Sequence, residues 1–258
     1  MYKPFDLTGK VALVTGGNGG IGLAMADALA QAGADIAIWG LNQQKNDVAA
    51  NALRAHGERV CARKVDVGVE RDVIEGIEAT IAELGRLDCV IANAGVGRGA
   101  PIAEMSTELF RNVQRVNLEG VFWTFRESAK HMIERAKSGD PGGSLVVVAS
   151  TAGIEGAARN SAYGASKAAV MSMARALAVE LARYGVRANS IAPGWIATDM
   201  TRQAQASAAF TEKVVPRIPM RRWGEPSDFG GIAVYLASDA SRYHTGDTFV
   251  IDGGYTKF

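Results

Sequence analysis

A parallel sheet wrapped by helices, the α/β class, is what this 258-residue sequence predicts, and two features predict it. Short β-rich apolar runs recur along the chain, and several, such as Leu145-Val146-Val147-Val148, lack alternation, as strands covered on both faces must. Ala-rich stretches of helical length separate them, and strand–helix alternation calls for parallel pairing.

The elements follow in order. Val11–Thr15 is the first strand, followed by a glycine-rich turn and a helix over Gly22–Ala32 that Gly33 stops. Asp35–Trp39 and Arg59–Val65 are the next strands. A helix over Asp72–Leu84 leads to the strand Leu87–Ala92, and a long helix over Thr107–Lys137 leads to Ser144–Ala149. Ser161–Tyr184 is helical and ends at Gly185, after which Val186–Ile191 and Thr248–Ile251 complete the strands. There is no internal repeat, and the Gly139-Asp140-Pro141-Gly142-Gly143 cluster is too short to link domains. Residues 1–258 therefore read as a single domain. Trp195–Glu225 is longer than an ordinary connection, carries Pro216 and Pro219, and shows little strand pattern. Such insertions are lids or disordered loops, and a substrate lid over 195–223 is expected.

Composition excludes several function classes. Lys and Arg total 28 against 27 Asp and Glu, so no strong field draws nucleic acid or an anionic membrane. Cys61 and Cys89 lie in apolar, strand-like runs without CxxC spacing, and His56, His131 and His244 are scattered. Buried free thiols are expected, with neither a disulfide nor a metal site. The opening residues have no apolar signal-peptide core and no apolar run approaches a bilayer span, so a cytoplasmic location is expected.

After the first strand comes Thr15-Gly16-Gly17-Asn18-Gly19-Gly20-Ile21-Gly22, then a helix. Glycines permit a tight turn and close approach of a pyrophosphate, and the helix N-terminus offers it free N–H groups. Gly17, Gly19 and Gly22 match G-x-G-x-x-G, whereas Gly16, Gly20 and Gly22 match T-G-x-x-x-G-x-G, so spacing leaves the register open. The second strand ends in Trp39-Gly40-Leu41-Asn42, with neither the acid that binds a ribose 2′-hydroxyl nor the arginine that accepts a 2′-phosphate. Asn18 and Gly19 are uncharged as well. Lys45 could reach such a phosphate, although a solvated lysine fits it better, and the balance leans to NAD over NADP. Asp66, after the third strand, is either an acceptor for an adenine amino group or a turn residue. Asn93-Ala94-Gly95 follows the fourth strand and could knit strand ends, line the cofactor crevice, or both.

The most informative feature is Ser150 at a strand end with Tyr163-Gly164-Ala165-Ser166-Lys167 opening a helix. Tyr163 and Lys167 are four apart and share one helical face. Bringing a phenol from pKa ~10 towards neutrality asks for about 4 kcal/mol of phenolate stabilisation. A neighbouring ammonium and a positively charged nicotinamide would supply it. Ser150 would hydrogen-bond the substrate oxygen, and Asn117 would hold water linking the lysine to solvent. Each residue alone has an ordinary structural explanation. Together, Gly16, Asn93, Ser150 and Pro193 follow different strands and so share one sheet edge, where such folds bind ligands.

With these motifs, together with Asp66-Val67, Pro193-Gly194 and Asp252-Gly253-Gly254, the chain resembles the short-chain dehydrogenase/reductase family over almost its whole length. The resemblance implies a Rossmann-like doubly wound sheet of seven parallel strands and the glycine register Gly16, Gly20, Gly22. It implies a catalytic tetrad of Asn117, Ser150, Tyr163 and Lys167 and a soluble NAD(P)-dependent oxidoreductase that commonly assembles as a homotetramer. Cofactor contacts carried over with it are Gly16, Asn18, Gly20, Ile21, Gly22, Leu41, Asp66, Val67, Asn93 and Gly95. Tyr163 and Lys167 join them, as do Pro193, Gly194, Ile196 and Thr198, with Ile191, Pro193 and Thr198 near the nicotinamide. Ala92 departs from the family's usual asparagine. Arg217-Ile218-Pro219 through Asp228 looks like members acting on sugar acids and polyols, and also like 3-oxoacyl-thioester reductases. The expected substrate is thus a secondary alcohol of a sugar, sugar acid or polyol, with Arg98 and Arg202 candidates for a substrate carboxylate. The alternatives are a 3-oxoacyl-thioester reductase and a non-catalytic dinucleotide-binding regulatory protein.

Overall fold

The computed structural model describes residues 3–57 and 59–257; Met1 and Tyr2, part of the opening stretch read above, lie outside them. Seven strands form one sheet: β1 (Val11–Thr15), β2 (Asp35–Gly40), β3 (Val60–Lys64), β4 (Cys89–Ala92), β5 (Gly143–Val148), β6 (Val186–Pro193) and β7 (Thr248–Ile251). Their order is β3-β2-β1-β4-β5-β6-β7 and every pairing is parallel. Winding reverses between β1 and β4, so the chain crossings diverge there and leave a crevice beyond the carboxyl ends of those strands.

The strands from β1 to β6 divide their side chains between two apolar layers. Leu13, Trp39, Val90 and Val147 face one layer with Val73 and Ile77 of α3 (Glu70–Leu84), Phe125 of α5 (Gly120–Lys137) and Val170 of α6 (Ser161–Leu181). Val14, Ile38, Ile91 and Val146 face the other with Leu29 of α1 (Gly20–Gln31), Leu53 of α2 (Gln43–Leu53) and Leu236 of α9 (Gly230–Ala237). Both faces being apolar is why the strands read as unbroken hydrophobic runs.

Three elements differ from expectation. Helix α2 begins Gln43-Gln44-Lys45-Asn46-Asp47 and buries only Asn46, Ala49, Ala50 and Leu53, too thin an apolar face for its pattern to stand out. The stretch expected as one helix over Thr107–Lys137 is α4 (Thr107–Gln114) and α5, joined by a five-residue π turn, Arg115–Glu119, which contains Asn117. The long connection after β6 is neither strand nor disordered loop. It holds α7 (Arg202–Gln205) and α8 (Ala208–Val214), and its ends meet where Ile196 bridges Gly224.

Candidate active site

The turn after β1 is cut to glycine. Gly16 and Gly20 have φ of +63° and +53°, a region that disfavours side chains. A Cβ on Gly16 would stand 2.9 Å from Asn93 Nδ2, and one on Gly22 would overlap that amide and the Gly16 carbonyl. Gly17 is needed for packing, since its Cβ would lie 2.7 Å from Ile38 Cγ2, whereas Gly19 has open space. Glycine is thus required at 16 and 20 by backbone conformation and at 16, 17 and 22 by close contacts, leaving only Gly19 free. Gly19 caps α1 without a side-chain hydrogen bond, and no acidic residue occupies the first turn. That end of α1 presents N–H groups and partial positive charge to an anion, the feature a pyrophosphate requires.

Two small networks hold the turn. Thr15 Oγ1 accepts from the Asn93 and Ala94 N–H groups at 3.1 and 3.0 Å, and Asn93 Nδ2 donates to the Thr15 and Gly16 carbonyls. Asn93 therefore knits the ends of β1 and β4. Asn46 is the second hub, and sequence reasoning missed it. It is fully buried, donates to the carbonyls of Gly40 and Arg63 at 3.0 Å each, and accepts from Asn18 at 2.7 Å. It ties the ends of β2 and β3 to the glycine turn; a side chain on Gly40 would overlap Asn18. One asparagine in a polar helix carries no sequence signal of this role.

Asp66 is a turn residue here: its Oδ1 accepts from Gly68 N–H at 2.8 Å, and its Oδ2 lies 3.6 Å from Arg115 Nη1. Val67 is buried, and its carbonyl lies where a side chain on Gly120 would clash. Leu41 is 62 % exposed at the open end of β2. Thr198 lies over Gly20, whose Cβ would come 3.4 Å from Thr198 Cγ2. Pro193 ends β6, and Gly194 packs against Asp252. Ile191, expected near the nicotinamide, is fully buried in the core, so it presents no surface to a ligand. Ile196 is nearly as buried, its Cδ1 packed where Gly224 has no side chain, so it braces the connection's two ends.

Two residues of the expected tetrad, Asn117 and Lys167, meet beside Gly95, and Tyr163 and Ser150 adjoin Lys167 in turn. A Cβ on Gly95 would lie 3.2 Å from Asn117 Oδ1 and 3.5 Å from Lys167 Nζ. Lys167 reaches back from α6 to donate to the Val148 carbonyl at 2.8 Å, with Nζ 5.7 Å from the Tyr163 ring centroid. Ser150 follows β5, caps the turn Thr151–Gly153 by accepting from Ala152 N–H, and hydrogen-bonds the Tyr163 phenol. Asn117 is fully buried in the π turn. Its Oδ1 accepts from Val96 N–H at 2.8 Å, and its amide donates to Val96 O and Ser166 Oγ. Both donors are thus engaged by protein, and the side chain braces the β4 loop against α6. The wider π turn is what carries it inward, a device common at functional sites.

The electrostatics differ from the expectation that Lys167 lowers the phenol. Burial pushes the Tyr163 phenol up, opposed by the Ser150 hydrogen bond, and burial brings the Lys167 amine down from 10.5 to about 8. In the protein alone desolvation governs both groups: it keeps the phenol neutral and makes the ammonium easier to deprotonate, though Lys167 still carries its proton at neutral pH.

Within the long connection after β6, Trp195, Phe210 and Trp223 pack as an aromatic cluster, centroids 5.0 to 6.4 Å apart. Arg202 is paired with Asp199, and Arg98 is exposed. Cys61 and Cys89 are buried free thiols pushed up to about 11 and about 12 by burial, hence unreactive. Among the described residues no group of three or more His, Cys, Asp or Glu is placed to hold a metal, and no helix is long and apolar enough to cross a membrane.

A glycine-cut anion cradle and a Ser/Tyr/Lys cluster at the switch point of a doubly wound sheet define a class: NAD(P)-dependent oxidoreductases acting on CH–OH groups. The comparisons agree. A family profile described as enoyl-(acyl carrier protein) reductase matches residues 16–256. The 2-dehydro-3-deoxy-D-gluconate 5-dehydrogenase of Dickeya dadantii is 37% identical over 255 residues, covering 99% of this chain and 98% of the relative. The gluconate 5-dehydrogenase of Gluconobacter oxydans is 34% identical over 98% of this chain and 96% of its own. The crystal structure of a gluconate 5-dehydrogenase from Burkholderia cenocepacia, in complex with NADP and tartrate, superposes with TM-score 0.93 at 34% identity, covering 99% of this chain and 98% of that one. The chain belongs to the short-chain dehydrogenase/reductase family, and it is an NAD(P)-dependent oxidoreductase.

Proposed function

We propose that this enzyme interconverts a secondary alcohol and a ketone on a sugar acid, using NADP(H), with Tyr163 exchanging the hydroxyl proton. The observation that carries the reading is the clustering of Ser150, Tyr163 and Lys167, with Lys167 Nζ reaching Gly95 on the loop whose Asn93 holds the glycine turn. The substrate class rests on the activities of the gluconate relatives and on tartrate, a hydroxy acid, accompanying NADP in the Burkholderia structure. That same complex turns the lean towards NAD around, and Leu41–Gln44, where β2 ends, offers no carboxylate to repel a 2′-phosphate.

In this reading Gly16–Gly22 and the α1 N-terminus hold the pyrophosphate, Asp66 and Val67 flank the adenine, and Pro193, Gly194 and Thr198 flank the other end. When bound, the dinucleotide exchanges the hydride and, oxidised, brings positive charge towards the phenol. Tyr163 Oη takes the alcohol proton during oxidation and returns it during reduction. Ser150 Oγ orients the substrate oxygen. Lys167 supports the phenolate, and Asn117 fixes the β4 loop that carries Gly95. Residues 195–223 act as a lid that shapes the pocket and excludes water, and the whole chain works as one catalytic domain. A homotetramer is supported by exposed Phe110, Phe122 and Val179 on α4, α5 and α6, and a cytoplasmic location by the two free thiols.

The test is a screen of sugar acids, sugars, polyols and a 3-oxoacyl thioester with both dinucleotides, following absorbance of the reduced ring. Turnover of a sugar acid with preference for NADP(H) is expected. Turnover confined to the oxoacyl thioester would overturn the substrate reading, and NAD preference would overturn the choice of dinucleotide.

A further inference from the structure

One ion pair spans the dinucleotide cradle. Lys45 stands in the first turn of α2, just beyond the end of β2, and its Nζ lies 3.3 Å from Asp199 Oδ2, 154 positions along the chain. Asp199 directly follows Thr198, the residue seated over Gly20, and opens the helical part of the lid segment. The lysine thus bridges from the β2 end, where an adenosine ribose sits in this fold, across the turn to the start of the lid. Both side chains are solvent-exposed, 61% and 68%, and Asp199 also borders a depression of ≈ 360 Å³ with Gly20, Thr198 and Arg202.

The partners are unequal. Asp199 holds a second cation, Arg202, so it stays neutralised if the lysine leaves. Lys45 is the first charged residue after β2, since Leu41-Asn42-Gln43-Gln44 intervene without one. The two cations hold the Asp199 carboxyl below its ordinary range, with the Lys45 hydrogen bond the leading cause.

We propose that Lys45 reads the 2′-phosphate of NADP and that Asp199 is its built-in competitor, releasing the lysine when the phosphate arrives and thereby freeing the lid's first turn. The inference rests on the NADP reading above. A 2′-phosphate carries close to two negative charges against the carboxylate's one, and an exposed pair such as Lys45–Asp199 holds its lysine by no more than about fivefold. The exchange therefore runs towards the phosphate, and a dinucleotide lacking it leaves the pair closed.

The experiment is calorimetric titration of the full chain, without substrate, using adenosine 2′,5′-bisphosphate and AMP as probes. For Lys45→Met, a bisphosphate Kd raised about tenfold, with AMP changed less than twofold, is expected from loss of one charge-assisted contact. For Asp199→Asn, the bisphosphate Kd falls about threefold to fivefold, because the competitor is gone; in the double variant the Asp199→Asn gain disappears. An unchanged bisphosphate Kd in Asp199→Asn overturns the proposal. Equal weakening of both probes in Lys45→Met also overturns it, because the lysine then serves a group common to both. The wild-type ratio is a separate readout: tighter binding of AMP than of the bisphosphate sinks the NADP reading, whatever the variants do.

Discussion

Replacing the buried lysine with a neutral side chain of similar length, Lys167→Met, should make the protein more stable while abolishing turnover. Lys167 is 4 % exposed, and its amine falls from 10.5 to about 8 through burial. The folded state therefore binds this proton less tightly than the unfolded chain. The penalty is fully present below pH 8 and is relieved as pH rises from about 8 towards 10.5. The fall from 10.5 to about 8 corresponds to about 3 kcal/mol. At pH 7 almost all of it applies, and at pH 9.5 about 1 kcal/mol remains. Methionine gives up the hydrogen bond to the Val148 carbonyl, a loss of about 1 kcal/mol. The net gain is then about 2 kcal/mol at pH 7 and close to zero at pH 9.5, and the first raises Tm by about 4–8 °C. Thermal and urea denaturation of both proteins at the two pH values measures this. A variant less stable than wild type at pH 7, or a difference independent of pH, would refute the reasoning. Buried charge kept for catalysis against the interest of stability is the trade-off at issue.

Three further outcomes follow from the same geometry. Tyr163→Phe should lower kcat by about 10²–10⁴ with Tm and dinucleotide Kd nearly unchanged, and near wild-type turnover would place the proton elsewhere. Gly22→Ala sets a methyl against the Gly16 carbonyl and the Asn93 amide, so the turn must open; dinucleotide Kd should rise at least about tenfold, equivalent to about 1.4 kcal/mol, and fluorescence titration reads it. Asn46→Leu strands the Gly40 and Arg63 carbonyls and the Asn18 amide; a loss of about 3 kcal/mol or more in urea denaturation is expected, and a loss below about 1 would show that water or movement satisfies those groups.

Much of this protein was legible before its fold was seen, and the reason is chemical. Strands buried on two faces must be apolar throughout, so runs such as Leu145–Val148 declare themselves; a tight strand-to-helix turn calls for glycines, and five of the seven residues from Gly16 to Gly22 are glycine; and a Tyr-x-x-x-Lys pair is brought onto one face by helical pitch alone. These are local constraints, written within a few residues. What the tertiary structure alone decided depends on neighbours far apart in the chain. Helix α2 packs through a narrow face that its polar composition conceals, and the π turn turns Asn117 inward to clamp Val96 and Ser166. Asn46 becomes a hub only because β2, β3 and the glycine turn end side by side, and Lys45 meets Asp199 only because the lid's first turn lies over Gly20. The directions of the Tyr163 and Lys167 shifts belong to the same class: spacing places the two groups together, but solvent exclusion, a property of the whole packed molecule, sets which protonation state each prefers.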